Sequence, residues 1–130
     1  MNRQMLDTYL GHFNNRRYDE QAKLYAPHVS FELPTLTLRG PEAIIGLYKE
    51  FHPCVSEHVE IEDIIFGDGK IFAIVPTRFD VHKDFKKYGL NFEAGKRYDN
   101  VSFVLWEHEN GMFTRIRSAR QSSKVSDISR

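Results

Sequence analysis

The chain has one cysteine, no net charge and no apolar run of membrane-spanning length. Cys54 alone excludes an internal disulfide and a cysteine zinc cluster, and it suits a reducing, cytoplasmic setting. The 18 basic and 18 acidic side chains cancel. They are unevenly spread, with six basic against ten acidic in residues 1–65 and twelve against eight in residues 66–130. That polarity is too mild for an electrostatic nucleic-acid footprint, and no basic stripe is present. The first ten residues are polar and helix-patterned, without the apolar core of a signal segment, so no membrane partner is expected. No HExxH or paired-histidine spacing occurs, so neither a metal nor a cofactor is expected. Internal repeats and low-complexity stretches are also absent.

What is present is aromatic. Ten Phe, six Tyr and one Trp make up 13% of the 130 residues, enough to line a core, a pocket or an interface. This length makes one domain, which buries roughly two-thirds of its unfolded surface. Met5, Leu6, Tyr9, Leu10 and Phe13 form the apolar stripe of an amphipathic helix, broken by Asn14, Asn15 and the Arg pair. Asp19 is placed to cap a second, short helix running to about Tyr25, which Pro27 stops. Val29, Phe31 and Leu33 alternate with polar residues in a short strand ended by Pro34. Gly40-Pro41-Glu42 opens a third helix whose buried face is Ile44, Ile45, Tyr48 and Phe51.

From Glu57 the period changes from helix to strand. Residues 57–66 and 70–82 meet through Gly67-Asp68-Gly69, a strong hairpin signal. A connection over 83–95 leads to a strand at 96–107, and the turn 108–111 joins it to a last strand at 112–121. The domain is therefore expected over 1–121, with 122–130 as a polar, disordered tail. Three helices followed by four long antiparallel strands predict an α+β fold, a curved sheet closed on its concave face by the helices.

Several segments carry a resemblance: YLGHFNNRRYDEQAKLYAPHVSFELP (9–34), LRGPEAIIGLYKEF (38–51), GLNFEAGKRYDN (89–100) and ENGMFTRIRS (109–118). In that order they resemble the SnoaL-like and ketosteroid-isomerase-like members of the nuclear transport factor two-like superfamily. The resemblance spans about residues 5–121. It implies a cone-shaped fold, a small-molecule cavity and a homodimer formed through the convex sheet face. It does not imply one reaction, because such folds host isomerases, cyclases, dehydratases, hydrolases and binders.

Two catalytic patterns of that superfamily can be laid on the chain. The ketosteroid isomerase pattern, a carboxylate base with an oxyanion hole of Tyr and protonated Asp, is a standard example of carboxyl tuning. It puts Tyr9 at the oxyanion position and Leu33 where the base should stand, with Asn100 or Ser102 near the second acid. The limonene-epoxide hydrolase pattern matches Arg78-Phe79-Asp80 as an Arg-x-Asp pair. It finds Ser118 in place of the second acid, and Phe31 and Leu33 in place of the water-holding Tyr and Asn.

Two residues apart on a strand, Arg78 and Asp80 share a face and can pair. On an interior face they must pair or serve a ligand, since unpaired buried charge is prohibitive. Phe79 and Val81 offer an equally apolar alternative face, which would leave the pair outside. Pro76 could also mark a bulge that shifts the register. His82 has the parity of Asp80, while His52 and His58 bracket the end of the third helix and read as capping and surface histidines.

The expected site is thus catalytic Asp80 and Arg78, with Tyr9 and Asn100 as donors to a developing oxyanion. Phe13, Phe31, Leu33, Tyr48, Phe51, Ser102 and Ser118 would bind an apolar, oxygenated small molecule. The expected activity is cofactor-free acid/base isomerisation, cyclisation, or addition or removal of water. The alternative is a ligand-binding or dimeric interaction protein on the same scaffold. Loop 83–95, with Phe85, Tyr88, Leu90 and Phe92, is either a lid or a dimer contact.

Overall fold

A computed structural model describes residues 3–128. Three helices, α1 (Arg3–Asn14), α2 (Tyr18–Ala22) and α3 (Pro41–Phe51), cover one face of a curled seven-stranded sheet. Its strands are β1 (Tyr25–Leu33), β2 (Leu36–Arg39), β3 (Val55–Val59), β4 (Asp63–Gly67), β5 (Lys70–Val81), β6 (Lys96–Glu109) and β7 (Met112–Asp127). They are ordered β2-β1-β7-β6-β5-β3, with β4 also on β5. All pairs are antiparallel except β1 with β7.

The apolar periods decide this packing. The α1 stripe of Leu6, Tyr9, Leu10 and Phe13 and the α3 face of Ile44, Leu47, Tyr48 and Phe51 are buried against the concave side. There they meet Val29, Phe31, Ile71, Ala73, Val75 and Ile116. Each large aliphatic or aromatic side chain so buried contributes about 1.5–3 kcal/mol before entropy is counted. At the β4–β5 and β6–β7 hairpins the residues in the turn, Asp68-Gly69 and Asn110-Gly111, take positive φ, as a type I′ turn requires.

Several expectations need correction. Asp19 does not cap α2: Arg17 holds that position without a side-chain cap bond, and Asp19 lies in the first turn. The helix ends at Ala22, and Tyr25 already belongs to β1. Pro27 lies inside β1, within the stretch between Tyr25 and Ser30 where the β1–β7 register shifts, so its missing N–H costs no ladder bond. Strand β2 was not read from the sequence; it folds back on β1 with Ser30 opposite Arg39. The expected strand over 57–66 is two strands, interrupted where Glu60 and Glu62 donate their N–H groups to Pro76 and Ile74. Pro76 causes no slip against β6, since the β5–β6 register runs unbroken from Lys70–Glu107 to Asp80–Arg97.

The expected tail is also largely strand. Ser122–Asp127 continue β7 because β6 offers ladder partners from Val101 back to Lys96, and Lys96 Nζ meets Asp127 at 2.6 Å. Residues 129 and 130 of that tail lie outside the described residues.

Candidate functional site

Curling of the sheet beneath α1 and α3 leaves a cavity of about 870 Å³. Strand parity decides which side chains reach it. On β5, Val75, Thr77 and Phe79 line the cavity, while Arg78 is exposed and pairs outward with Asp99 at 2.8 Å. Asp80 belongs to the same outer set and takes two hydrogen bonds from Arg97, at 2.7 and 3.1 Å. The proposed catalytic couple therefore stands on the convex face. The unbroken register is the physical reason: it leaves odd-numbered residues inward along the whole strand.

These hydrogen bonds from Arg97 hold the Asp80 carboxyl below its usual range; burial opposes this, and the charges of Arg97, Arg78 and His82 assist it. A lowered carboxylate pKa adds stability above the unfolded value near 3.8, and that stability is lost as pH falls through the folded value. Asp80→Asn is accordingly expected to lower Tm by a few degrees at pH 7 and to leave any turnover unchanged. The gap to the parent should close as the pH drops below 3.8 in thermal melts.

The other expected residues do meet. Tyr9, Phe13, Phe31, Leu33, Tyr48, Phe51, Asn100, Ser102 and Ser118 all line the one cavity. Tyr9 Oη lies 2.8 Å from Tyr25 Oη, which accepts from Gln21 Nε2 at 2.8 Å. Burial pushes the Tyr9 phenol well above its ordinary value, with further contributions from Tyr25, Tyr48 and Glu57. Burial likewise raises Tyr25, to about 12, against its hydrogen bonds with Tyr9 and Gln21. Tyr9 is thus a neutral hydroxyl at working pH, suited to donate rather than to abstract. Asn100 Oδ1 accepts from Ser123 at 2.5 Å, which fixes the amide with its NH2 end available to a ligand.

The sequence reading missed the cavity's carboxylate. Glu57 lines the wall and is the only acidic side chain to do so among the described residues. Its Oε1 lies 3.0 Å from His52 Nε2, and His52 Nδ1 lies 2.7 Å from Tyr18 Oη. The side chains of His52 and Glu57 are only 5% and 10% exposed. The imidazole is stacked between the rings of Tyr18 and Tyr48, at 5.9 and 5.1 Å, and Phe13 meets it edge-on. With Glu57 ionised, a neutral imidazole donates from Nε2 and accepts the Tyr18 proton at Nδ1. The Tyr18 hydroxyl thus fixes the imidazole, and the imidazole Nε2–H fixes the Glu57 carboxylate.

Local sequence holds Glu57 in place. β3 is an edge strand, and the Asn-Asn-Arg-Arg break after α1 covers it. Asn14 pairs with the Val59 backbone through both amide atoms, at 2.9 Å each. Arg16, at φ 57°, donates to the carbonyl oxygens of Phe13 and Glu57. Residues that read as a helix stop are also the clamp on the catalytic candidate. His58, His82 and His12 play no comparable part: His58 is exposed on β3, His82 meets Ser56 outside, and His12 accepts from Arg17.

Loop 83–95 packs on α3 and on the β1–β2 turn. Phe85 and Phe92 bridge each other and pack on Phe51, both rings at 5.1 Å. Glu50 on α3 accepts from Lys87 and Tyr88, and Thr35 donates to the Tyr88 carbonyl. Gly89, Leu90, Asn91 and Phe92 then line the cavity.

A family model for the SnoaL-like domain matches residues 6–116. Among solved structures, a Mycobacterium tuberculosis epoxide hydrolase of the limonene-epoxide-hydrolase-like type superposes with a TM-score of 0.73 at 13% identity, covering 91% of this chain and 80% of that one. A candidate polyketide cyclase from Xanthomonas campestris gives 0.77 at 17% identity, covering 88% and 86%. A protein with the ketosteroid isomerase-like fold from Catenulispora acidiphila, in complex with trimethylamine, gives 0.73 at 11% identity, covering 92% and 86%. At these identities the likeness is one of fold. No curated protein sequence matches the chain significantly.

Proposed function

The chain belongs to the SnoaL-like domain family, and from that premise we propose that it is a cofactor-free enzyme using Glu57 for acid/base chemistry on an apolar, oxygenated small molecule. One observation carries this reading: a lone, largely buried carboxylate, backed by an imidazole, forms part of the wall of a mainly apolar cavity. Glu57 would take a proton from a carbon beside a carbonyl, or from water, and return it to another position of the substrate. The reaction would then be an isomerisation, a cyclisation or a movement of water. Negative charge developing on the substrate oxygen would be met by the neutral Tyr9 hydroxyl or the Asn100 amide. His52, itself held by Tyr18, would keep the carboxylate in orientation through its Nε2–H.

The test is conversion. Cyclic ketones, epoxides and polyketide mimics are incubated with the protein in D2O and followed by NMR. Deuterium exchange beside the carbonyl, or product formation, is the expected result; tight binding without conversion would return the competing reading of a ligand container. The apolar Phe31 and Leu33, where related enzymes place polar groups, favour that competitor.

The outer sheet face supports a homodimer. Phe72 and Phe103 meet there as tilted rings, 5.9 Å between centroids, although each is about two-fifths exposed. Phe103→Lys is expected to convert a dimer to a monomer in light scattering; a monomeric parent would overturn the assignment.

A further inference from the structure

We infer that the cavity's ligand carries a carboxylate and that Arg120 is the side chain that binds it. This rests on the cavity taking a small molecule with an apolar body, as proposed above, and not on catalysis by Glu57. Arg120 lines the cavity and is solvent-exposed, so a ligand can reach its guanidinium. It is the only cationic side chain in that wall among the described residues.

Its lack of a partner sets it apart. The other arginines of β5, β6 and β7 each meet a carboxylate: Arg78 meets Asp99 at 2.8 Å, Arg97 meets Asp80 at 2.7 Å, Arg115 meets Glu32 at 2.6 Å and Arg117 meets Glu107 at 3.6 Å. None of those residues lines the cavity. Arg120, the one that does, meets no carboxylate and no hydrogen-bond acceptor among the described residues.

Local structure aims it inward. Val101 pairs with Ser122 and Ser102 with Arg120, which leaves Gln121 as the extra residue of a β-bulge. A bulge re-aims the side chains beside it. The wall accordingly takes Ser118 and Arg120 before Gln121, and Ser123 and Val125 after it. Ser102 stands directly opposite Arg120, and Ser118 lies two residues before it. Both hydroxyls line the cavity, neither is enclosed, and neither has a partner among the described residues. One guanidinium beside two free hydroxyl donors suits the single charge and two oxygens of a carboxylate. A phosphate dianion would leave part of its charge unmatched, and a cation would be repelled.

Glu57 holds a different part of the wall. It stands opposite Phe79, whereas Arg120 is joined through Ser102 to Val75. Those β5 positions are about 13 Å apart along an unbent strand, and Glu57 and Arg120 are three strand spacings apart across the sheet. The ligand's acid group is therefore not the atom beside Glu57, and anchoring it acts on binding more than on the chemical step.

Pyrenebutyrate, pyrenebutanol and pyrenebutylammonium share one apolar body and differ in charge. Pyrene emission gives each Kd, and the NMR amide shifts of Ser102, Ser118 and Arg120 locate the bound compound. Expected is about fivefold tighter binding of the acid than of the alcohol at low ionic strength, the upper range for an exposed ion pair. The ammonium should bind weakest, and added salt should shrink the difference. Arg120→Gln should abolish the preference for the acid while leaving the alcohol's Kd and the Tm nearly unchanged. Arg120→Lys should keep part of it. Lys124→Gln removes the same charge from the same strand at a position outside the cavity wall, opposite Asp99, and should leave the preference intact.

Equal affinities for acid and alcohol, a preference that survives Arg120→Gln or falls as far with Lys124→Gln, tightest binding of the ammonium, or no pyrene compound entering the cavity would each overturn the inference. The two proposals fail separately. Preference for the acid with no turnover of any substrate would sink the enzymatic reading and leave the Arg120 anchor standing. Turnover of neutral ketones without that preference would do the reverse.

Discussion

Glu57→Gln is expected to cut kcat by about 10³-fold on any substrate that the parent converts, within the range that positioned acid/base groups supply. The amide keeps the shape of the carboxylate and still offers His52 Nε2 an acceptor at the 3.0 Å position. Packing around the stacked imidazole should survive, so Tm should change little. Because the carboxylate acts on the reacting atoms, kcat and kcat/KM should fall together and KM should stay within a few-fold. A variant within threefold of parental kcat would remove Glu57 from the chemistry. His52→Gln gives the graded companion result: it takes away the partner behind Glu57, not the base, and should reduce kcat less while altering its pH profile.

The reason Glu57 escaped the sequence reading lies in what a period can show. Val55 and Val59 flank it on its own side of a strand whose other residues, Ser56 and His58, are exposed. That spacing marks an inward carboxylate. Its partner, however, is five residues away across the α3–β3 turn, and Tyr18 comes from a different helix. Only tertiary packing brings the three together.

The Asp80 error is of another kind. Judged over 78–81, the charged parity of β5 could still turn inward as a pair. Judged over Lys70–Val81, one parity contains Lys70, Arg78 and Asp80 and the other contains no charge at all. The full strand therefore held the answer, and the four-residue window concealed it. Helices α1 and α3, the two hairpin turns and the α+β order were legible because they rest on local period and turn chemistry. β2 and the end of β7 were not, since both exist through their ladder partners, on β1 and β6. Phe13, Phe31, Tyr48 and Phe51 line the cavity from the apolar faces that local period reveals.

Gly89→Ala is expected to loosen the roof of the cavity without unfolding the domain. Gly89 has φ +77°, and a Cβ built there would lie 2.7 Å from Thr35 Cβ and 2.9 Å from Thr35 Oγ1. The left-handed backbone alone costs an alanine about 1–2 kcal/mol, and the contact is closer than packed carbon atoms tolerate. The loop can relieve both by lifting away from the β1–β2 turn, which breaks the Thr35–Tyr88 hydrogen bond. Its other anchors, Tyr88 and Lys87 on Glu50 and the Phe85–Phe92 pair on Phe51, remain. Because Gly89 through Phe92 form part of the cavity wall, a raised loop would expose a bound ligand to water. Kd for a cavity ligand should rise about tenfold, equivalent to roughly 1.4 kcal/mol, with faster dissociation in stopped-flow measurements. Thr35→Gly combined with Gly89→Ala removes the atoms that collide but not the backbone strain, so about half of the affinity should return. Unchanged affinity in the single variant would mean that the loop covers the mouth without controlling it. Loss of affinity that Thr35→Gly cannot relieve would place the whole effect in the backbone of residue 89.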